Sequence, residues 1–178
     1  MKIYRMIFCV FLFFSCNQER EIENPNEIWT KIELSELNSI VSQFDEILKK
    51  EYQVASAEEA YLKYSDYFIK NINSVPIFND FGKLSDQIYK MSVFDKIWVQ
   101  NKDSEYINLA MNSDYFIYLK YLGKKNKFIN EYVERIEEAN DIPPSLVAGF
   151  AKNINTIDLT DKNNRLVFAI HYLTLMNR

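Results

Sequence analysis

Apolar residues return at the helical period in one stretch after another of this chain. Leu37, Ile40, Val41, Phe44, Ile47 and Leu48 are spaced i, i+3, i+4, i+7, i+10 and i+11, which marks one face of an α-helix. Ser56-Ala57-Glu58-Glu59 has the form of a capping box, and Ala60, Tyr61, Tyr64, Phe68 and Ile72 continue as a second stripe. A loop containing Pro76 is expected over 73–82, followed by a third helix carrying Leu84, Ile88 and Met91. Ser92 is placed to cap a short fourth helix with Phe94, Ile97 and Trp98. Residues 99–104 read as a polar loop, and 105–122 as helical with a break near Asn112-Ser113, closed by Gly123 as a C′ residue. Phe128, Ile129, Tyr132, Val133 and Ile136 define the next helix. Pro143 and Pro144 separate it from one bearing Leu146, Val147, Phe150, Ala151 and Ile154. Thr160 or Asp161 then caps a last helix whose segment from Leu166 to Met176 is apolar on almost every side, a pattern that belongs in the centre of a fold.

Composition agrees with this periodicity. Only three Gly and four Pro occur in 178 residues, too few for a turn-rich all-β fold. A hydrophobic content of 48% is enough for one core without help from disulfides or metals. Two short words, Tyr61-Leu62-Lys63-Tyr64 and Ser65-Asp66-Tyr67-Phe68-Ile69, recur at 118–121 and 113–117, but in reversed order and at unequal offsets. A tandem repeat needs one constant offset. The expected fold class is therefore all-α: an irregular single-domain helical bundle with the apolar C-terminal helix in the core.

The N-terminus is organised differently. Lys2 and Arg5 precede a nearly apolar run from Met6 to Phe14, and Ser15-Cys16 follows. That is the order of a signal peptide: basic region, short apolar region, small residue before the cut. As a helix the apolar run would span about 13 Å, well short of the roughly 30 Å of a hydrocarbon core. Leu12-Phe13-Phe14-Ser15-Cys16 resembles a bacterial lipobox, although Phe13 replaces the commoner Leu. The resemblance implies cleavage before Cys16 and a diacylglyceryl group on its sulfur. It thus implies a signal peptide over 1–15, a lipidated Cys and flexible tether over 16–30, and a helical domain over 31–178. The implied address is the bacterial envelope, anchored to the outer membrane and either periplasmic or surface-exposed. Glu19, Glu21 and Glu23 also resemble the acidic surface-export signals of Bacteroidetes-type lipoproteins, with Arg20 interrupting them.

The remaining chain offers little for catalysis. Its two cysteines are Cys9 and Cys16, so a chain cut before Cys16 keeps one and has neither a disulfide nor a thiolate metal site within itself. That cut also removes Lys2 and Arg5, which takes the 21 basic residues to 19 against 25 acidic ones, net −6. Such acidity disfavours broad binding to nucleic acid or to anionic lipid, since both rely on basic patches. His171 is the single histidine, and its apolar neighbours suggest a core imidazole with one hydrogen-bond partner rather than a ligand or a catalytic base. The isolated glycines form no phosphate loop, and no cofactor or metal is expected. Lys120, Lys124, Lys125 and Lys127 follow a helix end, where cations favour the exposed carbonyls. Trp29 is expected to dock the chain onto the body.

These features lead to a noncatalytic lipoprotein that binds another protein, as an immunity-type protein or as an accessory subunit of an envelope complex. The membrane is reached through the lipid on Cys16. Loop residues Pro76, Ile77, Phe78, Gln100 and Asn101 are the expected partner contacts. The alternative is a carboxylate-dependent enzyme acting on cell-wall glycan, with Glu58, Glu59, Glu134, Glu137, Glu138 and Asp141 supplying the acids.

Overall fold

The structure, a computed structural model, describes residues 21–71, 78–100 and 106–178. Within them the chain forms eight α-helices and one two-stranded antiparallel sheet, so the all-α class holds with a small β addition. Helix α1, Lys31–Tyr52, starts at a complete capping box between Thr30 and Glu33, and buries Leu37, Ile40, Val41, Phe44 and Leu48 as the periodicity requires. Helix α2, Ala57–Lys70, is capped by Ser56 and buries Ala60, Tyr61, Tyr64 and Phe68. Helix α3, Asn79–Ile88, turns Phe81, Leu84 and Ile88 inward.

The next stretch departs from expectation. Ser92 does not cap helix α4, Phe94–Ile97: its N–H and hydroxyl both donate to the Glu36 carboxylate, at 3.0 and 2.7 Å. Trp98 leaves the helix to begin strand β1, Trp98–Gln100, which pairs with β2, Ile107–Leu109, in the register Trp98 with Leu109, Val99 with Asn108 and Gln100 with Ile107. The start of the expected loop is therefore a strand, and so are residues 107–109 of the expected helix. Tertiary partners hold it. The Ile107 N–H donates to the Asn177 carbonyl at 2.9 Å, and Trp98 Nε1 donates to Thr174 Oγ1 at 2.8 Å.

Helix α5, Asp114–Gly123, begins where Ser113 accepts from the Phe116 N–H. Gly123 is its last residue and not a left-handed C′ position. Its role is close packing, since a Cβ there would lie 3.1 Å from Asn130 Cα in the next helix. That helix, α6 (Lys127–Ala139), is capped by Asn126 and ends on Asn140 in the left-handed region. Helix α7, Pro144–Lys152, starts with Pro at its first turn, and α8, Lys162–Met176, is capped by Asp161. The unbroken run from Asn163 to Thr174 in α8 is buried, which puts this helix at the centre. Around it Phe44, Tyr61, Tyr64, Phe81, Phe150 and Tyr172 meet edge to face or tilted, with Phe168 in their midst.

The stretch 21–30, expected to be loose tether, is packed on the body. Ile22 and Trp29 are buried, and Asn24 clasps Trp29 by a bond to its carbonyl and another from its N–H, at 2.8 and 2.9 Å. Trp29 meets Tyr118 edge to face, so it docks as expected. The Glu23 N–H donates to Asn163 Oδ1 at 2.8 Å, and Tyr118 donates to the same oxygen at 2.7 Å. Two isolated apolar anchors and an Asn clasp create order that no helical stripe announces.

Candidate functional site

His171 is sealed in the core, as its sequence context suggests. The Tyr132 hydroxyl meets Nδ1 at 3.1 Å, and the Phe150 ring stacks on the imidazole at 4.3 Å between centroids. Burial, with the nearby Arg178 charge adding to it, pulls its pKa down to about 3. A neutral, inaccessible imidazole is a packing group. The most perturbed carboxylate is also internal: Asp45 accepts from the Tyr61 hydroxyl at 2.7 Å and from Arg165 Nε at 3.2 Å, and burial raises it to about 6.

The acids singled out from sequence do not converge. Glu58 and Glu59 lie exposed at the start of α2, where Glu59 pairs with Lys63 at 3.1 Å. On α6, Glu134 accepts from Asn130 at 2.7 Å, Glu137 pairs with Lys120 at 2.5 Å, and Glu138 is exposed. Asp141 pairs with Arg178.

Among the clefts on the surface of the described residues, two are well formed. The first, about 610 Å³, runs between α6 and α7. Phe128, Glu131, Tyr132 and Arg135 form one wall at i, i+3, i+4 and i+7, while Ser145, Leu146 and Gly149 form the other; Asp158 and Lys125 lie at its margin. Gly149 stands inside a helix with nothing within 4 Å of where its Cβ would be, so its missing side chain widens the cleft. The second cleft, about 550 Å³, lies between the strand pair and the α6–α7 turn, lined by Val99, Asn108, Leu109, Ala110, Met111, Asn140 and Asp141. Of its lining Val99 is 52% exposed, and Tyr106, just before β2, is 56% exposed.

No family model, no curated protein and no solved structure matches this chain.

Of the expected partner contacts, Gln100 is exposed at the end of β1, next to Val99. Phe78 is less exposed than expected. It is half-buried, stacks on Phe81 at 5.4 Å and sets its edge against Tyr52 and Tyr64, because the start of α3 needs an apolar lid over those rings. Cys16, Pro76, Ile77 and Asn101 lie outside the described residues. Among the described residues no helix is long and apolar enough to cross a membrane. Sequence reading missed both clefts. Phe128, Tyr132 and Leu146 read as core stripe, and the one available signal for the first cleft was Gly149, an unexplained glycine within a helical pattern.

Proposed function

We propose that this protein is a noncatalytic lipoprotein of the bacterial envelope that binds another protein, as an immunity-type protein or as an accessory subunit. The observation that carries the reading is the strand pair. Exposed Val99 lines a cleft with Leu109, Ala110, Met111 and polar Asn108 and Asn140, while Gln100 and Tyr106, the latter just before β2, are exposed on the same strand pair. An apolar patch rimmed by polar groups, on a strand pair hydrogen-bonded to Thr174 and Asn177 at the end of the central helix, is what a protein contact uses. The glycan-enzyme alternative loses ground because its proposed acids are spread over α2, α6 and the α6–α7 turn, and Glu59, Glu134, Glu137 and Asp141 are engaged with Lys63, Asn130, Lys120 and Arg178. General acid catalysis requires such groups to face one substrate position.

A photo-crosslinking residue at position 99 or 106, introduced into the full chain in its native cell, tests the contact. One discrete protein adduct is expected at both positions and none at position 58 on α2. Adducts of equal yield at all three positions, or none at any, would reject a partner face at the strand pair. Acyl labelling that disappears in Cys16→Ala is expected in parallel, and a mature wild type without acylation would remove the anchor from the proposal.

A further inference from the structure

The point where the chain enters the body coincides with its densest group of lysines. Glu23 Oε2 is 2.6 Å from Lys125 Nζ and also accepts from the Tyr121 hydroxyl at 2.5 Å, so the incoming segment is fastened to the turn between α5 and α6. That turn carries Lys124, Lys125 and Lys127, all exposed. Lys127 pairs with Glu131 at 3.6 Å, and Lys124 has no ion-pair partner among the described residues. These cations stand out in a chain whose net charge is −4.

Chain length does the rest. From Cys16 to Glu23 there are seven residues, which reach about 25 Å at full extension. A body of this size is about 40 Å across. A lipid on Cys16 therefore cannot let the body turn freely, and the end that holds Glu23 must stay on the membrane side. Helix α6 sets the opposite direction. It runs from Lys127, at the basic turn, to Ala139, next to the cleft residues Asn140 and Asp141, a length of about 20 Å. That exceeds the Debye length of about 8 Å at physiological salt, so one end of α6 can sit in the headgroup potential while the other is screened from it.

We propose that the α5–α6 turn, through Lys124, Lys125 and Lys127, is the face laid against the anionic membrane surface that receives the lipid, which turns the strand pair away from that surface. This rests on the lipid anchor of the preceding proposal. It is tested with the lipidated full-length product, acylation first verified by intact mass, on phosphatidylcholine vesicles with or without phosphatidylglycerol. A fluorophore is attached through Lys124→Cys or, separately, Val99→Cys, and quenched by a nitroxide in the lipid headgroup. Quenching at 124 at least threefold stronger than at 99 is expected on the anionic vesicles. Carrying Lys125→Glu and Lys127→Glu as well should reduce that ratio at least twofold, with little change on phosphatidylcholine alone. Equal quenching at the two positions, or a ratio that ignores both the charge reversal and phosphatidylglycerol, would overturn the membrane face while leaving the anchor intact. An unacylated product would instead defeat the anchor, and this inference with it.

Discussion

At the scale of single residues, the informative groups are the ionisable ones that folding hides. His171 is held neutral, its pKa taken from an ordinary 6.5 to about 3 by burial and then by Arg178. Between those values the unfolded chain binds the proton and the native one does not, so this group's contribution is full above pH 6.5 and is lost as pH falls, at about 1.4 kcal/mol per unit. Asp45 works in the opposite sense. Burial raises it from 3.8 to about 6 against the pull of the Tyr61 hydroxyl, so over that interval acidification favours the native state. From pH 6 down to 4 the two contributions largely offset each other. His171→Gln should expose the imbalance: relative to wild type, the variant gains about 1.4 kcal/mol for each unit that pH is lowered below 6.5. Urea unfolding of both proteins at pH 7, 6 and 5 gives this difference directly. A constant difference across the three would mean that the native imidazole is free to take a proton.

At the scale of elements, the three glycines separate helix propensity from helix packing. Gly82 in α3 and Gly149 in α7 have nothing within 4 Å of a prospective Cβ, and neither has a positive φ. Alanine at either site should stabilise by about 0.5–1 kcal/mol, because it removes backbone freedom from the unfolded chain at no steric cost. Gly123→Ala should destabilise by about 1–3 kcal/mol, since its methyl group would meet Asn130 Cα at 3.1 Å and N at 3.3 Å, which are backbone atoms that cannot swing aside. Thermal melts of the three variants test the order; a stabilising Gly123→Ala would mean that α5 and α6 are not in close contact. The same residue shows where sequence runs out. Its place at a helix end is legible, but the reason for glycine is a neighbour seven positions onward, known only once the two helices cross. Strand β2 was hidden for a similar reason. Ile107-Asn108-Leu109 does alternate in burial, yet three residues are too few to outweigh the helical stretch that follows, and the Asn177 carbonyl that fixes the strand is far away in sequence.

At the scale of the whole molecule, α8 organises everything else, and its all-round apolar character made that legible in advance. Its few polar members are the connections that pattern does not show: Asn163 takes Tyr118, Arg165 takes Asp45, His171 takes Tyr132 and Thr174 takes Trp98. Through Asn163 this helix also holds the incoming segment, whose apolar content is too sparse to signal order by periodicity. The packed body consequently extends back to at least Ile22. A chain beginning at Thr30 keeps the cap of α1 but loses Ile22, Trp29 and the Glu23 bonds to Asn163 and Lys125. Removing a buried Trp side chain alone costs about 3–5 kcal/mol. Compared with a chain beginning at residue 21, the shorter one should therefore lose at least about 3 kcal/mol in urea unfolding and melt well below it. Equal stability would mean that 21–29 only lies along the surface. The expected loss would place the start of the folded unit at or before Ile22, because Ile22, Trp29 and the Glu23 bonds are then part of the packing around α8.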